Sequence, residues 1–244
     1  MPNYCLLGKS ALVTGGARRI GRQIALALAE AGSDVTITYQ DSSREAKEVA
    51  LTIQAIGRNS QALPCNVRSE QSVRAAVEAS VGFHGKLDLL INNAATFESA
   101  PLDHLSIEQW DTVFETNARG PFLVARESLP HLRHARGRIV NIGSLGGVRA
   151  WAGHAHYCAS KAALHMLTQS MAKAYAPEVT VNCIAPGWIE QETDNRETAD
   201  RFAERTPLRR NGTAEEVAQS VLFFAAGPRF ITGQILVVDG GLGL

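Results

Sequence analysis

The sequence predicts an α/β fold in which helices cover both faces of a doubly wound, seven-stranded parallel sheet. Short apolar runs alternate with longer helical patterns along the 244 residues. Repeated strand–helix units imply parallel strands joined by right-handed crossovers. No internal repeat or linker interrupts this alternation, so we expect a single domain over residues 1–244.

Each element follows from its apolar spacing. Short apolar runs bounded by turn residues predict strands over 11–14, 35–39, 61–65, 87–92, 138–142, 179–184 and 235–238. Apolar residues three or four apart predict helices over 20–31, 43–56, 69–81, from 106, 121–132, 157–175 and 214–226. Ser69 and Thr213 are expected N-caps, and Ser106 begins a capping box.

The stretch 190–205 is polar and carries six acidic residues. It is interpreted either as a mobile flap over a binding site or as a solvated excursion of the surface.

Composition excludes several classes of protein. Lys and Arg together number 24, as do Asp and Glu, which argues against a protein that mainly coats nucleic acid or an anionic membrane. No apolar run approaches 18 residues and no signal-peptide pattern begins the chain. Four cysteines without a CxxC motif indicate reduced thiols and a cytoplasmic protein. The paired histidines lack further convergent ligands, so we expect no metal site.

A glycine-rich turn joins the first strand to the first helix. Residues 14–21 read TGGARRIG. Glycines permit a sharp turn and a close approach of backbone N–H groups to a pyrophosphate, and the helix N-terminus adds positive partial charge. The pattern predicts a dinucleotide site, with a plain helix entry as the alternative. The contacts expected from this turn are Gly15, Arg18, Arg19, Ile20 and Gly21.

The end of the second strand distinguishes NAD from NADP. An acidic residue there would hold an unphosphorylated ribose, but this position is Tyr39. Arg18 and Arg19 can clamp a phosphate, so NADP(H) is favoured. Asp41 opposes this interpretation if its carboxylate points toward the phosphate. The contacts expected at this strand end are Tyr39, Gln40 and Ser42.

Tyr157 and Lys161 are four residues apart on a predicted helix and therefore share a face. A phenol has a pKa near 10, and a neighbouring ammonium lowers it, which suits proton transfer at a carbonyl oxygen. Ser144 follows the fifth strand and can hydrogen-bond the same oxygen. Asn117 lies inside a predicted helix, where its amide can bend the helix or hold a water.

Together these motifs resemble the short-chain dehydrogenase/reductase family over essentially the whole chain. The resemblance rests on residues 14–21, 92–94, 186–187, 232–234 and 239–241 together with Asn117, Ser144, Tyr157 and Lys161. It implies a Rossmann fold and a homotetramer, with a dimer as the alternative. By this resemblance Tyr157 is the proton donor or acceptor, Lys161 lowers its pKa and binds the nicotinamide ribose, Ser144 polarises the substrate, and Asn117 supports a proton-relay water. The further cofactor contacts it implies are Asn66, Val67, Asn93, Ala94, Pro186, Gly187 and Ile189.

The substrate is less clearly indicated. Arg19 in place of a loop glycine, and Phe97 after the fourth strand, resemble pteridine reductases, in which an aromatic ring stacks a flat pterin. Ser144 instead resembles 3-oxoacyl-thioester and general carbonyl reductases. We therefore expect NADPH-dependent reduction of a carbonyl compound, with Tyr157 as the proton donor. The alternatives are a pteridine reductase, and a nucleotide-binding regulatory protein without turnover. Phe97 either stacks on the substrate or packs against the protein.

Overall fold

Seven parallel strands form one sheet in the computed structural model, which describes residues 4–191 and 195–244. The strands are β1 Ser10–Val13, β2 Asp34–Tyr39, β3 Ser60–Pro64, β4 Leu89–Asn92, β5 Arg138–Ile142, β6 Thr180–Pro186 and β7 Ile235–Val238. Their order across the sheet is β3-β2-β1-β4-β5-β6-β7. The chain runs outward from β1 to β3 and then returns to start the other half at β4, so the direction of winding reverses between β1 and β4.

Helices connect successive strands. Among the described residues they are α1 Arg19–Glu30, α2 Ser43–Ala55, α3 Glu70–His84, α4 Ile107–Phe114, α5 Gly120–Ala135, α6 Ala155–Tyr175, α7 Arg196–Arg205 and α8 Ala214–Ala226. A π-helical turn, Glu115–Arg119, joins α4 to α5. None of the described helices is long and apolar enough to cross a membrane.

Neighbouring residues of one strand point to opposite faces of the sheet, and each face carries its own core. On one face Val13 and Ile91 pack with Ile24 of α1 and Val221 of α8. On the other face Leu12 and Leu90 belong to a cluster with residues of α3, α5 and α6, including Val73, Leu132 and Met171. Because helices cover both faces, every residue of β1, β4 and β6 is buried, as the continuous apolar runs predicted.

The predicted caps are confirmed where the structure can test them. Ser69 Oγ accepts from the Ser72 N–H, and both Ser106 and Thr213 form capping boxes. α3 continues to His84, three residues beyond the predicted end, and stops at Gly85 in the left-handed conformation.

The stretch 190–205 is more ordered than a solvated excursion. Its second half is the helix α7, with Asn195 as N-cap and Phe202 stacked on Trp188. One face of the helix therefore packs against the protein, and Phe202 and Arg205 line a cavity, so the interpretation as a flap over a binding site stays a prediction. Residues 192–194, which include two of the six acidic side chains, lie outside the described residues.

Candidate active site

Parallel strands bring their carboxyl ends to one edge of the sheet, and the predicted site residues follow those ends. Gly15 follows β1, Asn93 follows β4, Ser144 follows β5 and Gly187 follows β6. Because the winding reverses between β1 and β4, a crevice opens at this edge. The buried side chains of Asn92 and Asn141 lie opposite each other on β4 and β5 and hydrogen-bond at 2.9 Å.

The glycine-rich loop is too tight for a side chain at its key positions. Gly15 has a φ of +64°, which favours glycine. A Cβ at Gly21 would lie 2.2 Å from the Gly15 carbonyl oxygen. Asn93 Nδ2 donates to the carbonyls of Thr14 and Gly15, both at 2.9 Å. Asn93 therefore holds the loop from the β4 side, a supporting task in addition to the cofactor contact expected from the sequence.

The N-terminus of α1 has the properties of an anion site. Its N-cap, Arg18, makes no side-chain capping hydrogen bond, and its first turn contains no acidic residue. The first backbone N–H groups of the helix and its positive dipole end are thus available to a pyrophosphate.

Basic and hydroxyl groups meet beside the end of β2. The Arg18 guanidinium donates to Ser42 Oγ and lies 4.0 Å from a Glu45 carboxylate oxygen. Tyr39 is half-buried, and its hydroxyl accepts from Ser43 Oγ at 3.3 Å. Asp41 is exposed. The acidic group closest to Arg18 is therefore Glu45, which the sequence analysis did not single out.

Arg19 occupies the left-handed region with a φ of +52°. This conformation costs an L-residue other than glycine about 1 kcal/mol, and it explains why a related loop would place glycine here. Because the Arg19 side chain is exposed, its guanidinium fits binding of a phosphate better than packing in the core.

Ser144, Tyr157 and Lys161 come together beyond the end of β5. Ser144 is buried, its Oγ accepts from the Gly146 N–H at 3.0 Å, and it is a hydrogen-bond partner of Tyr157. Lys161 is 3% exposed; its Nζ donates to the Ile142 carbonyl at 2.8 Å and lies 5.8 Å from the centre of the Tyr157 ring.

The pKa values correct one expectation. Burial raises the pKa of Tyr157, and the hydrogen bond from Ser144 opposes this shift only in part. Burial lowers the pKa of Lys161 to about 8. The pKa of Tyr157 is therefore not below its usual value, contrary to the expectation for a phenol beside Lys161. The loss of solvation on burial outweighs the attraction of a cation several ångströms away. Tyr157 is a neutral phenol at pH 7 and has a proton to donate.

Asn117 lies in the π-helical turn and is fully buried. This departure from regular α-helix agrees with the expectation that its amide can bend the helix. Its Oδ1 accepts from the Thr96 N–H at 2.8 Å, and its Nδ2 donates to the Thr96 carbonyl at 2.9 Å and to Ser160 Oγ at 3.1 Å. Both amide protons are engaged, so the side chain fastens the segment after β4 to α6 and has little capacity left for a water.

The remaining expected cofactor contacts differ in exposure. Asn66 is exposed and its Oδ1 accepts from the Arg68 N–H, whereas Val67 is buried against Gly120. Ile189 is buried against Gly212, so its side chain belongs to the core. The other members of this set follow or end their strands at the same edge of the sheet and comprise Ala94, Pro186 and Gly187.

A cavity of about 470 Å³ is walled by aromatic rings, and two of these rings, Phe97 and Trp151, also lie beside the Tyr157 ring. Phe97 is 58% exposed, stacks on His154 at 4.6 Å and meets the Tyr157 ring edge-on at 4.8 Å. Trp151 lies parallel to the Tyr157 ring at 6.2 Å. Trp188 and Phe202, stacked at 4.1 Å, form another part of the wall.

Sequence reasoning identified Phe97 but missed Trp151, Trp188 and Phe202. Trp151 and Trp188 lie in loops that have no periodic pattern, and Phe202 pairs with Trp188, which is 14 residues away. A usable signal was the scarcity of tryptophan: the chain has three, and two follow strands whose ends border the predicted site.

These groups fit a phosphorylated dinucleotide. Glycines that leave no room for a Cβ, a helix N-terminus without a side-chain cap, and two arginines lie along one edge of the sheet. A metal is not indicated: the described residues contain no group of three or more His, Cys, Asp or Glu that could hold one.

Comparisons with known proteins agree with this geometry. A family model described as Enoyl-(Acyl carrier protein) reductase matches residues 15–243. The chain is 38% identical to the 3-oxoacyl-(acyl-carrier-protein) reductase FabG of Staphylococcus aureus over 240 residues, which cover 96% of this chain and 98% of that protein. It is 39% identical to the enzyme of the same name from Aquifex aeolicus, covering 97% and 98% of the two chains.

Solved structures are equally similar. A short-chain dehydrogenase from Burkholderia cenocepacia in complex with NADP has a TM-score of 0.93 and 38% identity, covering 98% of this chain and 99% of that chain. A dehydrogenase/reductase from Sinorhizobium meliloti has a TM-score of 0.94 and 35% identity, covering 99% and 98%.

Proposed function

Because the chain belongs to the short-chain dehydrogenase/reductase family, we propose that it reduces the keto group of a 3-oxoacyl thioester or a related ketone at the site formed by Ser144, Tyr157 and Lys161. It is an NADP-dependent oxidoreductase. The observation that carries the proposal is the grouping of two buried side chains, Ser144 and Lys161, with Tyr157: Ser144 is near enough to lower the pKa of Tyr157, and Lys161 Nζ lies 5.8 Å from the centre of the Tyr157 ring.

NADPH, when bound, supplies the hydride that adds to the carbonyl carbon. The 14–21 loop, the α1 N-terminus and Arg18 would hold its phosphates, and Arg19 is placed to assist. Glu45 partly neutralises Arg18 and would reduce, without abolishing, the preference for a 2′-phosphate.

Tyr157 donates its phenolic proton to the carbonyl oxygen as negative charge develops there. Ser144 Oγ hydrogen-bonds the same oxygen and so favours the polarised carbonyl. The Lys161 ammonium favours the phenolate that Tyr157 becomes and so stabilises the product of the proton transfer. Asn117 supports this arrangement by fastening Thr96, and with it the segment that carries Phe97, to α6.

The test is NADPH consumption by the purified protein with acetoacetyl thioester and a dihydropterin in parallel. Consumption with the thioester, faster with NADPH than with NADH, is expected. Turnover of the pterin alone would overturn the proposal in favour of a pteridine reductase. No turnover of either substrate, combined with tight NADPH binding, would favour a regulatory protein.

The aromatic wall provides a further check of the pocket. Phe97→Ala removes a ring that is mostly exposed and faces Tyr157. We expect kcat/KM for a flat aromatic ketone to fall roughly 5- to 10-fold, since loss of one aromatic contact is worth about 1 kcal/mol, and kcat/KM for acetoacetyl thioester to fall less. Leu102→Ala, an exposed apolar residue in the same loop region but outside the cavity wall, is the control. Equal losses for both substrates would leave Phe97 without a stacking role.

We also propose a cytoplasmic homotetramer. All four cysteines are free thiols, as expected in a reducing compartment. Apolar side chains remain exposed on two separate surfaces: Leu236 and Val237 on the edge strand β7, and Trp110, Phe122 and Met166 on α4, α5 and α6. Two such surfaces fit two kinds of subunit contact. Light scattering should give four times the chain mass, and half that value would indicate a dimer.

A further inference from the structure

A histidine outside the proposed catalytic set lies behind the active-site turn. His165 is on α6, one turn after Lys161, and is 7% exposed. Its imidazole fills the space beside Gly143 and Gly147, which flank Ser144. A Cβ at Gly143 would lie 2.3 Å from His165 Nε2, and a Cβ at Gly147 would lie 2.5 Å from His165 Cε1. A side chain at either glycine position would therefore collide with the imidazole ring.

The ring also bonds to the turn. The Ser144 backbone N–H donates to His165 Nε2 at 3.4 Å, a long but directed hydrogen bond. A nitrogen that accepts carries no proton, so the ring proton is on Nδ1. Nδ1 faces Gly147, where a Cβ would lie 2.8 Å from it, and the Gly147 backbone favours the protonated ring, a raising effect on the pKa that burial outweighs. The imidazole thus spans both ends of the turn that contains Ser144.

The charge state of the ring suits this arrangement. Burial and the neighbouring Lys161 ammonium lower the pKa of His165 to about 4. Cys183 lies on the same side of Gly143, where its Sγ would be 2.7 Å from an added Cβ, and burial raises the pKa of its thiol to about 12. Both groups are neutral at pH 7. His165 consequently keeps its acceptor nitrogen and does not repel Lys161.

We propose that His165 is a positioning residue for the reduction, which fixes the turn from Ser144 to Gly147 so that the Ser144 hydroxyl faces Tyr157 and the substrate carbonyl. The inference rests on the proposed function of that site. Ser144 Oγ already accepts from the Gly146 N–H within the turn, so the conformation of the turn decides where the hydroxyl points.

Two substitutions separate positioning from packing. His165→Leu fills the space but leaves the Ser144 N–H without its acceptor, whereas His165→Gln offers an amide oxygen near the position of Nε2. We expect His165→Leu to lower kcat for acetoacetyl thioester by roughly 10- to 100-fold, as small misplacements of catalytic groups do, with the Kd for NADPH unchanged. His165→Gln should recover most of the lost rate. Equal kcat in all three proteins, or equal losses in both variants at equal Tm, would overturn the inference.

A measurement without turnover tests the same point. The ¹⁵N signals of the His165 ring, assigned by their loss in His165→Gln, should report a neutral ring with the proton on Nδ1 from pH 5.5 to 8. A ring that titrates near pH 6.5 would overturn the inference, because a protonated ring cannot accept from Ser144. If the wild-type protein turned over no carbonyl compound, the proposed function would fail while this result still decided the state of His165.

Discussion

At the scale of single residues, the spacing of Tyr157 and Lys161 predicts that they are neighbours but does not predict their pKa values. The sequence predicts the pair but contains no measure of how much solvent each group loses. Burial is the largest effect on both pKa values: it raises the pKa of Tyr157, which stays protonated at pH 7, and lowers the pKa of Lys161 to about 8. The same limit applies to Asn117, whose hydrogen bonds to Thr96 and Ser160 depend on tertiary contacts.

The pKa of Lys161, about 8, predicts an alkaline limit to the reduction. As the ammonium loses its proton it stops favouring the Tyr157 phenolate, so kcat should fall about fivefold between pH 8 and 9, as one group titrates. The contribution of Lys161 to stability should change in the opposite direction over the same range. The folded pKa of Lys161 lies below its ordinary value of 10.5, so the unfolded chain binds more protons there and this group's contribution to stability rises with pH. Cys183 acts in the opposite direction only above pH 9. A kcat that stays level to pH 10 would contradict this role.

We expect Arg18 to determine the preference for NADPH over NADH. Arg18→Ala should weaken NADPH binding roughly 10- to 100-fold, the worth of a charge-assisted hydrogen bond, and should leave NADH binding nearly unchanged. Arg22→Ala, an exposed arginine one turn further along α1, is the matched control. Fluorescence titration of both cofactors measures the effect. Equal weakening of NADPH and NADH by Arg18→Ala would show that Arg18 does not contact the 2′-phosphate.

At the scale of elements, local signals were sufficient for most of the fold and insufficient for its exceptions. The alternating strands and helices, and the caps at Ser69, Ser106 and Thr213, follow from short-range pattern and are confirmed. The helix α7 was missed because its sequence is almost wholly polar, and its contact with the protein depends on Phe202 stacking on Trp188. Arginine has no preference for a positive φ, so the only sign of the left-handed Arg19 was the glycine that related loops place there.

The glycine-rich loop supplies a prediction at this scale. Gly21→Ala places a Cβ 2.2 Å from the Gly15 carbonyl oxygen and 2.4 Å from Asn93 Nδ2, so the loop must shift. NADPH binding should weaken more than about tenfold and Tm should fall, because the shift also disturbs the bonds from Asn93. Gly82→Ala, inside α3 with no atom within 4 Å of the added Cβ, should leave binding unchanged and keep or raise Tm. Unchanged NADPH binding in Gly21→Ala would show that the loop does not hold the cofactor.

At the scale of the whole molecule, sheet order explains why distant motifs form one site. Residues near positions 15, 93, 144 and 187 meet because β1, β4, β5 and β6 are neighbours and parallel. That parallel arrangement follows from the strand–helix alternation, which is why the sequence could place these residues at one edge of the sheet. The aromatic-walled cavity was not predictable in the same way, because Trp151, Trp188 and Phe202 reach it from loops and a helix whose courses no periodic pattern encodes.

The most direct test of the central claim compares the wild-type protein with Tyr157→Phe. NADPH oxidation with acetoacetyl thioester and the Kd for NADPH are measured on both. Since the variant keeps the ring and loses only the proton donor, its kcat should fall at least about 100-fold while its Kd for NADPH stays within about twofold. A Tyr157→Phe protein that reduced the thioester at the wild-type rate would contradict the account, because the proton would then come from another group.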